Sequence, residues 1–203
     1  MLLSLTIVGV IAVVTVPVIV GNVQKKIFAT QVKNFAETVQ QIAQQELIRN
    51  HTRDLSNTDF ANPEKLMSEK HFAVKKICAP ANAYSECWKK VIHKTLSKHA
   101  DPITGAASTI ILTNGVIMRY QLDNSLDAVG KFTFDVNGID KPNIWGRDAF
   151  AFYVTPKGHV IDYYQYAKNN VNLARKINDC KTLAYSYLRC YGALRDNNWE
   201  MKY

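Results

Sequence analysis

The feature that most constrains this chain is its beginning, where residues 1–24 carry no charged side chain and Lys25 and Lys26 then follow together. A helix rises about 1.5 Å per residue, so about twenty apolar residues cross the roughly 30 Å hydrocarbon core of a bilayer. A secretory signal peptide would need a basic start, a shorter apolar core and a small-residue cleavage site, and this segment shows none of them. Residues 1–24 are therefore predicted to form a transmembrane helix.

The helical pattern continues past the apolar run through residues 25–50, as an amphipathic continuation of the same helix. Apolar side chains recur there at alternating spacings of four and three residues, which forms one stripe along a helix: Phe28, Val32, Phe35, Val39 and Ile42. The stripe covers about two heptads, fewer than the three or four that indicate a coiled coil. We therefore expect it to pack against the chain's own globular domain, in a helix on the order of 70 Å long.

The rest of the chain, residues 51–203, has the composition of a globular head, with strand patterns in its middle. β-branched and aromatic residues run or alternate in five segments bounded by turn residues: 108–113, 116–122, 131–136, 149–154 and 159–164. Asn114-Gly115 predicts a type I′ turn between the first two segments, whereas residues 64–77 show helical spacing. The expected fold is α+β, with the long helix packed on an antiparallel sheet of about four or five strands.

Four cysteines form two close pairs, Cys78 with Cys87 and Cys180 with Cys190. Zinc sites favour tighter spacing, so the gaps of eight and nine residues favour small disulfide loops. Disulfides persist in oxidising compartments, which places the head outside the cytosol. The lysines after the apolar run would place it in the cytoplasm by the positive-inside rule, and a basic leader before Met1 would reconcile the two expectations.

The first segment resembles the N-terminal helix of type IV pilins and of type II secretion pseudopilins. Those proteins have a glycine near the middle of the hydrophobic run and a proline eight residues later, and Gly9 and Pro17 match both the residues and the spacing. The family pattern begins with a basic leader ending in glycine and continues with F-T-L-x-E, which this sequence does not contain before its apolar run. Residues 134–150, FDVNGIDKPNIWGRDAF, and the C-terminal tail are also similar to stretches of pilin-like proteins from some bacterial groups.

The resemblance implies a bacterial protein held in the inner membrane by a single pass, with its head outside the cytoplasm. Its partners would be inner-membrane lipid, copies of itself or related pilins in an extracellular or periplasmic filament, and an assembly machinery with an ATPase and a platform protein. The apolar helices would form the filament core, where Gly9 would allow close helix approach. The alternative that the sequence leaves open is a membrane-anchored binding protein or enzyme of the cell envelope, for which the helix is only a tether.

The sequence contains one weak metal candidate and no catalytic motif. Asp135, Asn137, Asp140 and Asp148 offer oxygen ligands that suit calcium, although ordinary turns use the same residues beside glycine and proline. The five histidines show no metal-binding spacing and are expected at the surface. The prediction is therefore a protein that is not an enzyme and needs no cofactor, with a turn favoured over a calcium site.

Positive charge is concentrated after residue 24, where the whole net charge of +8 lies. Residues 64–99 alone hold eight lysines against three glutamates. Such a surface attracts nucleic acid or anionic lipid. No nucleic-acid-binding motif accompanies the lysines, so a solvated surface is the favoured interpretation and nucleic acid is unsupported as a partner.

The resemblance can be tested by translating the gene in frame upstream of Met1. We expect a short basic leader that ends in Gly-Phe-Thr-Leu-x-Glu and joins the apolar run directly. An unrelated upstream sequence, or a stop codon immediately before Met1, would contradict the missing-leader explanation.

Overall fold

The computed structural model describes residues 2–203 apart from 124, 126, 184 and 185, with side chains from Val20 onward except at those four positions and at 186. The chain forms one long helix and a six-stranded antiparallel sheet that pack against each other. The α+β fold class expected from the sequence is therefore confirmed. Shorter helices flank the sheet.

Helix α1 spans Leu2–Arg49 without interruption. All five side chains of the predicted stripe are buried, and burial begins at Phe28. Small residues beside the stripe let the helix lie close to the sheet, and three of them are fully or almost fully buried: Ala29, Ala36 and Ala43. The stripe therefore packs on the chain's own head, as its short length indicated.

The sheet consists of strands that pair with their neighbours in chain order, each antiparallel to the next. The strands are β1 Val74–Cys78, β2 Ser108–Leu112, β3 Ile117–Leu122, β4 Gly130–Asp135, β5 Ala149–Val154 and β6 Val160–Ile161. At one edge, Lys75 and Lys76 of β1 are exposed to solvent. At the other edge, β6 has only two residues.

An aromatic cluster joins α1 to the sheet. The ring centroid of Phe35 lies 4.4 Å from that of Phe134, 5.8 Å from Phe152 and 6.3 Å from Phe132. Side chains alternate across a strand, so these sheet phenylalanines lie on one face. That face and the helix stripe together form the main hydrophobic core.

The second half of α1 is also held by polar contacts to the turn between β5 and β6. The side-chain amide of Gln44 donates to the backbone oxygens of Lys157 and Gly158, both at 3.2 Å, and Gln40 Oε1 accepts the N–H of Val160 at 3.3 Å. Gly158 has a φ of +78°, and a Cβ there would lie 2.7 Å from the Gln44 side chain. The positive φ favours glycine at this position, and a side chain there would displace the Gln44 amide.

Short helices occupy the connections between these elements. The α-helices are α2 Pro63–Leu66, α3 Ala83–Glu86, α4 Tyr163–Tyr166, α5 Leu173–Thr182 and α6 Cys190–Asp196, and 3-10 turns span Leu55–Asn57, Asp59–Ala61, Pro80–Asn82 and Ser186–Leu188. Local caps explain several of the starts. Asn62 accepts the first N–H groups of α2, and Asp162 with Gln165 forms a capping box on α4.

The expected strand count of four or five is too low, because Val74–Cys78 is a strand rather than the end of a helix. Helix α2 ends at Leu66, and the backbone oxygen of Ala73 accepts the N–H of Thr113, which brings this segment alongside β2. The middle of an edge strand is exposed on both faces here, so it shows no alternation of apolar and polar residues.

Two turn-related expectations are also wrong in detail. The segment 159–164 is a strand only at Val160–Ile161, because the cap at Asp162 starts α4 immediately afterwards. The type I′ turn at Asn114-Gly115 requires positive φ at both residues, but only Gly115 has it, at +91°. The Leu112 N–H instead closes the hairpin on the Val116 oxygen at 2.8 Å, with Gly115 in the left-handed position.

Both close cysteine pairs are joined in the structure, Cys78 to Cys87 and Cys180 to Cys190. The first bond lies in a second, smaller core that includes Trp88. The second bond links α5 to α6. The first disulfide therefore ties the end of the edge strand β1 to the segment after α3, and the second lies in the main hydrophobic core.

Truncation of Phe35 to alanine is expected to lower the free energy of unfolding by about 3–5 kcal/mol, because it removes the side chain on which three sheet aromatics pack. Urea unfolding of the full chain, in detergent if the apolar segment requires it, measures this loss. Ile48→Ala is the matched control on the same helix, since Ile48 is 74% exposed and should change stability by less than about 0.5 kcal/mol. Equal losses in the two variants would contradict the assigned core.

Candidate functional site

The first candidate site is the part of α1 that precedes its entry into the head. Val20, Val23 and Ile27 lie on this part, and each is 50% exposed. Spacings of three and four residues place them on one side of the helix. The head leaves this apolar side uncovered, which makes it a surface for contact with lipid or with another protein.

Basic side chains surround the point where α1 meets the head. Lys25 and Lys26 of the helix and Lys202 of the C-terminal tail line a cavity of about 340 Å³. Lys202 forms an ion pair with Glu200 at 2.7 Å. Burial, and then the charge of Arg147, lowers the pKa of Lys25. This junction therefore presents clustered positive charge next to the apolar side of the helix.

The predicted membrane segment lies mostly outside the described side chains. Within residues 20–203, the described helices contain no stretch that is both long enough and apolar enough to cross a bilayer. Gly9 and Pro17, on which the family resemblance depends, precede this range. Their proposed role in assembly stays a prediction.

The structure separates the calcium candidates by exposure. Asp135 and Asp148 are fully buried, whereas Asp140 is exposed. Asn137 uses its side-chain amide to donate to the backbone oxygens of Asp140, at 2.9 Å, and Lys141, at 3.1 Å. The loop is therefore closed by its own hydrogen bonds.

Asp148 has a similar local use. Its two carboxylate oxygens accept the N–H groups of Asn143 and Ile144, each at 2.7 Å. One oxygen of Asp135 likewise accepts the Asn137 N–H at 3.1 Å. These contacts are those of a structural turn, and calcium binding stays a prediction.

His93 is fully buried, so the expectation of a surface histidine is wrong at this position. Its Nε2 lies 2.9 Å from Oδ2 of Asp135, and both side chains are 0% exposed. The rings of Trp88 and Trp145 lie 5.7 and 5.1 Å away. The pair therefore joins the segment at residue 93 to the end of β4 inside the protein.

Burial shifts the pKa values of this pair in opposite directions, because a low-dielectric environment disfavours both charged forms. It lowers the pKa of His93 to about 4 and raises the pKa of Asp135 to about 8. Burial also raises the pKa of Asp148 to about 7, and the nearby charge of Asp135 adds to the shift. Charging His93, Asp135 or Asp148 in this interior therefore lowers the stability of the fold.

A second buried cluster joins the end of α1 to the segment after it. Carboxylate and imidazole atoms of Glu46, Asp59 and His71 lie within 4.8 Å of one another, a spacing that could hold a metal ion. Two cations already neutralise the carboxylates, since Lys70 lies 2.5 Å from Asp59 and Arg49 lies 2.6 Å from Glu46. Burial alone would raise the pKa of Asp59, but hydrogen bonds from Lys70 and His71 lower it. The cluster is a complete ion-pair network.

A third cluster links the C-terminal helices. The ammonium of Lys176, on α5, lies 2.9 Å from Asp162 and 2.6 Å from Asp196. Arg195 also contacts Asp162, at 2.6 Å. Each buried charge has an opposite partner, so this cluster stabilises the fold and leaves no free charge for a ligand.

No local pattern in the sequence predicts the two histidine contacts. Asp135 lies 42 residues from His93, and Asp59 lies 12 residues from His71. Only the fold brings these residues together. The apolar side at Val20, Val23 and Ile27 had a spacing of three and four residues that could be read from the sequence. It lies on a different side of the helix from the buried stripe, because Ile27 and Phe28 are adjacent residues.

Comparisons of the chain with protein-family models, with curated proteins and with solved structures find no significant match. The pilin resemblance therefore depends on the sequence features alone.

The buried carboxyls predict a specific loss of stability with rising pH. In the folded protein Asp135 and Asp148 hold protons to about pH 8 and 7, whereas the unfolded chain has already released them. The lowered pKa of His93 makes stability rise with pH, but mainly below its ordinary pKa of 6.5, where the unfolded chain binds the proton. We therefore expect the free energy of unfolding to fall by about 2 kcal/mol between pH 6.5 and 8.

Urea unfolding at both pH values measures this fall. Asp135→Asn should remove more than half of it, because the amide does not titrate. Asp140→Asn, an exposed position in the same loop, should retain most of it, because the charge of Asp140 is only a minor cause of the raised Asp135 pKa. An undiminished fall in the Asp135 variant would show that other groups cause the pH dependence.

Proposed function

We propose that this chain is a structural subunit of a pilus-like or pseudopilus-like filament, held in the bacterial inner membrane before assembly. The observation that carries the proposal is the difference in burial between the two parts of α1. From Phe28 onward the helix contributes its apolar stripe to the head, whereas Val20, Val23 and Ile27 present apolar side chains that the head does not cover. One helix thus packs on its own head with one part and offers an apolar surface to lipid or to other subunits with the other.

The geometry of α1 supports this role. The helix is unbroken from Leu2 to Arg49, so the apolar run and the stripe that packs on the head belong to one continuous helix. A helix rises about 1.5 Å per residue, which gives residues 2–27 a length of about 40 Å. Apolar side chains on such a helix are stable only in lipid or against other apolar helices. Neighbouring copies supply such helices in a filament.

The basic junction supports an inner-membrane stage before assembly. Lys25, Lys26 and Lys202 lie where the head would meet the headgroups of a bilayer. Clustered lysines near a membrane surface attract anionic lipid. In a filament the same charges would lie beside the surfaces of neighbouring subunits.

The filament role is tested by replacing the uncovered apolar side. The double variant Val23→Glu, Ile27→Glu places charge on that side and leaves the buried stripe intact. Expressed with the assembly machinery in the native host, it should reduce the amount of chain in pelletable filaments at least tenfold. The reason is that a filament core would have to bury two carboxylates in apolar surroundings.

Ile48→Glu is the control on the same helix, because it adds one carboxylate at an exposed position away from the uncovered apolar side. It should leave filament yield unchanged. Failure of the unaltered chain to enter filaments, while it accumulates in the membrane with its disulfides formed, would contradict the filament role and favour an anchored envelope protein.

A further inference from the structure

The sheet face that points away from α1 carries a polar cavity. Two cross-strand pairs form its floor, Arg119 opposite Thr133 and Gln121 opposite Lys131. The cavity has a volume of about 250 Å³. Its floor belongs to two central strands of the sheet, so the position of these four side chains is fixed by backbone pairing.

The walls of the cavity come from three separate segments. Residues 101–104 form one wall, and Trp145 and Tyr187 form another, with their ring centroids 5.1 Å apart. The indole N–H of Trp145 donates to the backbone oxygen of Asp101 at 2.8 Å, which joins the two walls. Lys131 Nζ lies 5.9 Å from the centre of the Tyr187 ring. The cavity is therefore built from elements that hold one another in place.

Two cations line this cavity, Arg119 and Lys131, and neither is ion-paired to a carboxylate among the described residues, although the charge of Asp123 acts on Lys131 from a greater distance. Arg119 is 8% exposed and donates one guanidinium hydrogen bond, to the backbone oxygen of Thr104 at 2.5 Å. Neither Arg119 nor Lys131 has a carboxylate oxygen within 4.0 Å of its charged nitrogens in the described part of the chain. Burial, and then repulsion from Arg119, lowers the pKa of Lys131. Nearly buried charge without a partner is costly.

Three further polar atoms around the cavity are buried without a hydrogen-bond partner among the described residues. They are Nε of Arg119, Oγ1 of Thr133 and Oδ2 of Asp101. The first is a donor, the second is a hydroxyl that can donate or accept, and the third is an acceptor. Buried polar groups are normally paired, so a bound molecule with both donors and acceptors would satisfy all three atoms.

We propose that this cavity binds a small hydroxylated anion. Its carboxylate or phosphate group pairs with Lys131 and Arg119, and its hydroxyl groups bond to Thr133 and Asp101. A guanidinium offers paired donors that match the oxygens of either anion. The inference does not depend on filament assembly, because the cavity lies on the head and on the sheet face opposite α1.

Isothermal titration of the full chain with glucuronate, glucose and inorganic phosphate tests the proposal. Saturable binding of glucuronate with at least tenfold weaker binding of glucose identifies a carboxylate ligand, and saturable binding of phosphate identifies a phosphate ligand. Lys131→Gln should weaken the binding at least tenfold. Binding should also weaken as salt is added, because charge pairing contributes to it.

Lys75→Gln is the matched control, since it removes the same charge from an exposed position on β1 of the same sheet. It should bind as the unaltered chain does. Arg119→Gln should also weaken binding, and circular dichroism establishes whether that variant folds; if it does not, the half-buried Lys131 position decides alone. Absence of saturable binding by both anions, or equal binding in the Lys131 and Lys75 variants, would overturn the proposal.

Discussion

The burial of one helix stripe against one aromatic sheet face is the interaction on which the rest of this structure depends. An antiparallel sheet with phenylalanines on one face is stable only when that face is covered, and the stripe from Phe28 to Ile42 covers it. The same packing fixes the direction in which α1 leaves the head. The exposed apolar side before Phe28, and the basic junction beside it, are therefore positioned by the core.

The loop at 134–150 has a structural explanation for each of its notable residues. Asp148 binds two backbone N–H groups, and the indole of Trp145 donates to Asp101. Gly146 has a φ of +86°, and a Cβ there would lie 2.7 Å from the sulfur of Cys190. The loop thus packs directly on the C-terminal disulfide. The segment 134–150, which is similar to a stretch of pilin-like proteins, joins the sheet to the C-terminal helices in this structure.

The sequence predicted those parts of the fold that have local periodicity. The stripe of α1 and the strands β2 to β5 follow from spacings of 3.6 and 2 residues. Strand β1 could not be predicted this way, because an edge strand exposed on both faces has no alternation. The buried pair of His93 and Asp135 was equally hidden, since its partners are 42 residues apart. The cavity on the outer face lies between these cases. Arg119 and Gln121 alternate with apolar neighbours in the sequence, but only the structure shows that Arg119 has no ion-paired carboxylate among the described residues.

The two edges of the sheet determine whether neighbouring heads can pair through their strands. Open strand edges tend to join with those of other molecules, and this sheet ends in a lysine-bearing strand on one side and a two-residue strand on the other. Heads held side by side at high local concentration would therefore resist fusing into a continuous cross-β structure. Contacts between such heads would therefore come from side chains and not from strand pairing across sheet edges.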